Sequence, residues 1–235
     1  MKDLLERLVR HIPAFLTTLL ALIASPRRYA LTRSSGTTAD IEGALVFAIL
    51  SAVLVFIMQV PLLSKETDVW TALASTLVVV LTSGLLSIAA LRLAWFIVGG
   101  RAAWSQLIPL YAYHSGTVGM ILLLPTLASL ALFKLLAPTL LSLVTKGVDS
   151  RGRSVMTDPA AQREILDVLF QPGSLIAGIP INLGIVATAV FLVVGWRAYR
   201  DINDLPRWRS IVAWFIFVIL KLPIFATLIV IDAAF

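Results

Sequence analysis

The chain has no cysteine, which removes disulfides, thiolate chemistry and cysteine-ligated zinc from the possible roles. Histidine is almost as scarce. His11 and His114 are the only two and lie in separate segments, so no H-x-x-x-H metal pair can form. Charge is the third shortage: 14% of the 235 residues are charged and 59% are hydrophobic, whereas soluble domains carry about 25% charged residues. The few charges also fall almost entirely outside long uncharged runs. Those runs cover 43–63, 69–91, 102–133, 172–196 and 210–231, the last interrupted by Lys221 alone.

A bilayer core of about 30 Å needs about 20 apolar residues in a helix. Lipid admits only helices or closed barrels, because backbone groups there have no water to bond. The expected fold is all-α: a polytopic transmembrane bundle of five spans at about 43–63, 69–98, 107–133, 173–196 and 210–232. A cytoplasmic region 1–39 precedes this domain (40–235), and an outer loop 134–171 interrupts it.

Within the first region Leu4, Leu5, Leu8, Ile12, Phe15, Leu16 and Leu19 recur at helical spacing, with Lys2, Asp3, Glu6, Arg7 and Arg10 opposite. This predicts an amphipathic helix lying in the membrane interface, where Leu8, Phe15 and Leu16 enter the headgroup boundary. Its uncharged part, 12–25, is short for a span, although an extra crossing stays open. A cleaved signal peptide fits less well, given Asp3, Glu6 and the lack of an A-x-A site near Ser25.

Positive charge is distributed unevenly. With five spans, one side receives Lys2, Arg7, Arg10, Arg27, Arg28, Arg33, Arg92, Arg101, Arg197, Arg200, Arg207 and Arg209. The other receives Lys65, Lys134, Lys146, Arg151, Arg153 and Arg163, diluted by Asp149, Asp158, Glu164 and Asp167. The richer side is therefore expected in the cytoplasm, with the N-terminus inside and the C-terminus outside. Trp95, Trp104, Trp196 and Trp208 fall near that inner interface, as an aromatic belt would. The net charge of +6 matches anionic headgroups better than nucleic acid, since no base-binding motif accompanies it.

In the outer loop, Asp158 can cap a helix beginning at Pro159, with Ile165, Leu166, Leu169 and Phe170 on one side. The stretch 135–145 is ambiguous. Tilt, an interfacial start near Trp104 or a turn at Pro138 would each absorb the excess length.

Enzyme signatures are absent from the pattern. His114-Ser115 are adjacent on a helix and point about 100° apart, so they form no dyad. Asp40 and Glu42 read as acids at a helix N-terminus. No cofactor or metal is implied.

Lys221 stands out. It lies roughly 16 Å past Ser210 along a helix, near the bilayer midplane, where a lysine costs about 2.5–3.5 kcal/mol. Asn182 reaches a similar depth, and Ser51, Thr82, Ser83 and His114 fall in a band around it. Pro180 and Pro223 lie two residues from Asn182 and Lys221 and free backbone carbonyls nearby. The predicted polar cluster is thus Lys221, Asn182, His114, Thr82 and Ser83, serving as a structural pairing or as a ligand site of the kind found in transporters.

Several pieces occur in a telling order: Ser25-Pro26-Arg27-Arg28-Tyr29, Gly99-Gly100 with Trp104, Tyr111-Ala112-Tyr113, and Asn203-Asp204-Leu205-Pro206-Arg207-Trp208-Arg209. Together with five spans they resemble the Yip1 family, in its bacterial branch. Eukaryotic relatives associated with Rab GTPases carry a longer N-terminal region and an Asp-Leu-Tyr-Gly-Pro motif, and that motif does not occur in these 235 residues. The resemblance implies a helical bundle with a cytoplasmic N-terminus and a non-enzymatic role in a bacterial inner membrane. There it would organise lipids, a membrane protein partner or further copies of itself. The alternative is a small permease or a lipid or ion conduit using the Lys221 band.

Overall fold

Uncharged runs become helices in the structure, a computed structural model that describes residues 2–60, 68–146 and 159–232. In chain order these are α1 (Lys2–Ala24), α2 (Pro26–Thr32), α3 (Thr38–Gln59), α4 (Val69–Ile97) and α5 (Trp104–Leu136). Then follow α6 (Pro138–Lys146), α7 (Pro159–Leu169), α8 (Pro172–Asn203) and α9 (Arg207–Asp232). No strand occurs among the described residues. The Asp158 cap, Arg151 and the side chain of Leu8 lie outside what is described.

Four helices, α3, α4, α5 and α8, are long and apolar enough to cross a membrane, which makes the chain a membrane-embedded helical protein. Their lipid-type surfaces are large and unpartnered, as at Leu85, Leu124, Leu183 and Val193, each more than 60% exposed. Ser51, Ser87 and Thr117 are buried instead. That inversion is expected where the surrounding solvent is apolar and small polar residues let helices approach.

The helix ends have local causes. Thr37 caps α3: its hydroxyl accepts the Asp40 N–H at 3.2 Å and donates to the Asp40 carboxylate at 2.8 Å. Asp40 therefore serves the first turn, as an acid there should. Asp68 caps α4, accepting the Thr71 N–H at 3.0 Å and the Thr71 hydroxyl. α5 stops at Leu136 because Pro138 opens a new helix. The excess length around 135–145 is thereby split at Ala137, and α5 still runs for 33 residues.

The Asp68 cap yields a pH prediction. Hydrogen bonding by Thr71, hydroxyl first, holds the carboxyl below its ordinary 3.8. A depressed folded-state value means the contribution is complete above that ordinary value and disappears as pH falls through the lower one. Protection of the Trp70 and Thr71 amides, measured relative to their intrinsic exchange rates, should fall at acidic pH in the wild type and already at neutral pH in Asp68→Ala. Equal exchange in the two proteins at pH 7 would remove the cap from the account.

The chain divides into two compact units, Met1–Met120 with Val190–Phe235, and Ile121–Ala189. In the first, α3 packs on α4 and α4 runs along α9. Its core joins Leu22 of α1, Phe47 of α3, Leu91 and Trp95 of α4, Leu107 and Leu110 of α5, and Tyr199 of α8. In the second, buried Ser129 of α5 accepts the Ile181 N–H of α8 at 3.0 Å, just after Pro180 disturbs that helix's own ladder. Gly184 there packs against Pro125 with no room for a side chain.

The N-terminal segment departs from the expected interfacial placement of its apolar face. Phe15, Leu19 and Leu22 are buried in the protein core, with Phe15 stacked on Phe47 at 4.9 Å. Ile12, Leu16, Leu20 and Ile23 are exposed on another side. The segment 12–24 is apolar nearly all round, so it can serve protein and lipid at once. Leu16 is left exposed, whereas Phe15 is covered by Phe47. The tryptophans divide likewise. Trp104 and Trp208 are at least half exposed, as a belt requires, but Trp95 is fully buried and stacks on Trp196 at 5.3 Å.

Candidate functional site

Within the first unit, residues of α4, α5, α8 and α9 line a cavity of about 360 Å³. Most of its wall is apolar or aromatic, including Leu91, Trp196, Trp214 and Phe217, with His114 and Lys221 as its nitrogen-bearing basic groups.

His114 is held from both sides. It is 4% exposed, with Nδ1 3.1 Å from the Tyr199 hydroxyl and Nε2 3.4 Å from the Pro26 carbonyl. A carbonyl only accepts, so Nε2 carries the proton and Nδ1 accepts from the tyrosine. One neutral tautomer satisfies both bonds and ties α5 to α8 and to the start of α2. Gly195 makes this possible, because a Cβ there would stand 2.9 Å from Nε2. Both ring nitrogens are occupied, so His114 supplies neither a general base nor a metal ligand in this arrangement. Ser115 takes no part in it and donates to the Ala112 carbonyl of its own helix.

Lys221 is half-buried, and its Nζ lies 6.0 Å from the centre of the Tyr111 ring and 5.6 Å from that of Phe217. Aromatic faces attract an ammonium most strongly when water is excluded. An attraction of that kind offsets part of the cost of half-burying the ammonium. The structure thus brings two of the expected residues, His114 and Lys221, to one cavity. Thr82 is exposed on α4, Ser83 donates to Val80 O of its own helix, and neither lines the cavity. Asn182, in the second unit, is exposed and donates to the Gly178 carbonyl at 2.9 Å. Sequence reasoning passed over Phe217 and Tyr199, and it used Tyr111 and Trp196 only as a family-like piece and an interfacial ring. Pairing of a ring with a distant lysine leaves no periodic signal.

Beside the cavity, sequence pieces far apart meet at the arginine-rich end of the first unit. Gly99 takes a left-handed φ of 91° that favours glycine. Asn203 at the end of α8 accepts the Ala102 N–H at 3.0 Å and donates to the Tyr199 carbonyl at 2.8 Å. Arg92 reaches the Gly100 carbonyl and Arg209 the Val98 carbonyl, each at 3.4 Å. Tyr29 meets Tyr113 edge-on at 6.4 Å.

No family model, curated protein or solved structure matches the chain. Among the described residues there is no group of three residues able to hold a metal ion.

Proposed function

We propose that the chain is a non-enzymatic, five-span integral membrane protein of Yip1 type, of the bacterial branch and seated in the inner membrane. It organises lipids, anionic headgroups among them, or a membrane protein partner or a second copy, from its cytoplasmic side. The fifth span is α9, whose 26 residues extend about 39 Å, enough for the hydrocarbon core. The arginine excess supports an N-terminus inside and a C-terminus outside.

One observation carries this reading: the N-terminal helices are built into the bundle and still present lipid-type surface. Phe15, Leu19, Leu22 and Ala30 join the core, while Ile12, Leu16, Leu20 and Ile23 remain exposed beside Arg27 and Arg28. Such a segment reports on, and acts upon, the headgroup layer. The convergence of the Pro26, Gly99-Gly100, Tyr111–Tyr113 and Asn203 pieces into one junction further supports a common architectural purpose for them.

A second reading has its own observation, the Lys221 cavity. An ammonium in an aromatic wall suits an anionic amphiphile or solute on its way through the bundle. Native mass spectrometry of the protein purified from its membranes separates the two. The organising role predicts retained lipid or partner protein in wild type and in Lys221→Met alike. Loss of a specific bound solute in folded Lys221→Met would transfer the weight to the conduit.

A further inference from the structure

A cleft of about 440 Å³ opens in the first unit between α2, α8 and α9, and four arginines line it: Arg27, Arg197, Arg200 and Arg207. Helical spacing explains the gathering. Val193, Arg197 and Arg200 stand at i, i+4 and i+7 on α8, so they share one face. Arg207, Ser210 and Ile211 stand at i, i+3 and i+4 on α9 and share another. Arg27 comes from the second residue of α2.

One carboxylate orients part of this set. Asp201 pairs with Arg27 at 2.6 Å and with Arg200 at 3.2 Å. Arg197 and Arg207 are exposed and make no ion pair among the described residues. Four guanidinium groups against one carboxylate leave a local excess of positive charge. The floor is different in kind, since Val193 and Ile211 are apolar and 64% and 57% exposed. Ser210 does not soften that floor, because its hydroxyl is taken by the Trp196 indole N–H at 3.0 Å.

We propose that this cleft binds the phosphodiester of an anionic glycerophospholipid, with Arg197 and Arg207 on the phosphate oxygens and an acyl chain along Val193 and Ile211. Guanidinium forks match phosphate geometry in two-point hydrogen bonds. A cationic rim directly above an exposed apolar wall at helix ends is the complement of an amphiphile, whereas free phosphate would make no use of the wall. The inference rests on the lipid-organising reading and narrows it to one site and one headgroup class.

The test uses the full chain in nanodiscs of phosphatidylcholine mixed with phosphatidylglycerol, followed by gentle release and mass spectrometric counting of bound lipid. Wild type should retain phosphatidylglycerol over phosphatidylcholine, and Arg197→Gln/Arg207→Gln should lower that preference by about tenfold or more. Arg101→Gln, an exposed arginine outside the cleft, should leave it unchanged. Should the double variant fail to fold, Arg207→Gln alone is read against the same standard. Equal retention by the variant, or displacement of the lipid by millimolar inorganic phosphate, overturns the site. If wild type holds lipid without headgroup preference, the cleft assignment falls and the organising role stands; if it holds no lipid, the cleft assignment and the lipid-organising part of that role both fall.

Discussion

Asn203→Ala should destabilise the protein by about 1–3 kcal/mol, measured as thermal or denaturant unfolding in detergent micelles. Asn203 is 6% exposed and uses both ends of its amide, the oxygen on Ala102 N–H and the nitrogen on the Tyr199 carbonyl. Alanine leaves the Ala102 N–H, itself 2% exposed, with no acceptor. A buried donor without a partner costs more than the hydrogen bond contributed. Asn203→Asp keeps the acceptor and should fall between alanine and wild type. An alanine variant as stable as wild type would show that the connection between α4 and α5 is held by other means.

Gly195→Leu should be the other severe substitution, with a loss of about 1–3 kcal/mol from overpacking. Its Cβ would meet His114 Nε2 at 2.9 Å and Cε1 at 3.2 Å. The ring cannot retreat without giving up the Tyr199 hydroxyl or the Pro26 carbonyl. Gly84→Leu is the matched control, because a Cβ there meets nothing within 4 Å. Equal melting temperatures for the two leucine variants would contradict the His114 lock.

Much of the architecture was legible because lipid makes a simple demand. Uncharged runs of sufficient length became α3, α4, α5 and α8, with edges displaced by capping that a hydropathy window does not see. α3 begins at Thr38 because Thr37 and Asp40 cap it, not at 43 where the charges end. Pro159 opened α7 as its fixed φ suggests. The site was legible in part. Lys221 was conspicuous as a lone charge, and His114 as a lone histidine, and both reached the same cavity. Their partners were not readable, since an aromatic residue in an apolar run fits a lipid-facing surface as well as a cation-binding wall. Phe15 shows the same ambiguity in α1. Periodicity marks an apolar face but cannot say whether lipid or Phe47 covers it. The arginine cleft was hidden for another reason: its members were counted as interfacial charge, and only folding brings Arg27 beside Asp201, 174 residues away.

Orientation is the claim on which the organising role depends most, and the absence of native cysteine makes it directly measurable. Single cysteines introduced as Arg28→Cys and Arg151→Cys are treated with a membrane-impermeant maleimide, first on intact cells and then after lysis. Position 151 should label in intact cells and position 28 only after lysis, placing the arginine-rich end in the cytoplasm. Labelling of position 151 only after lysis would contradict the account.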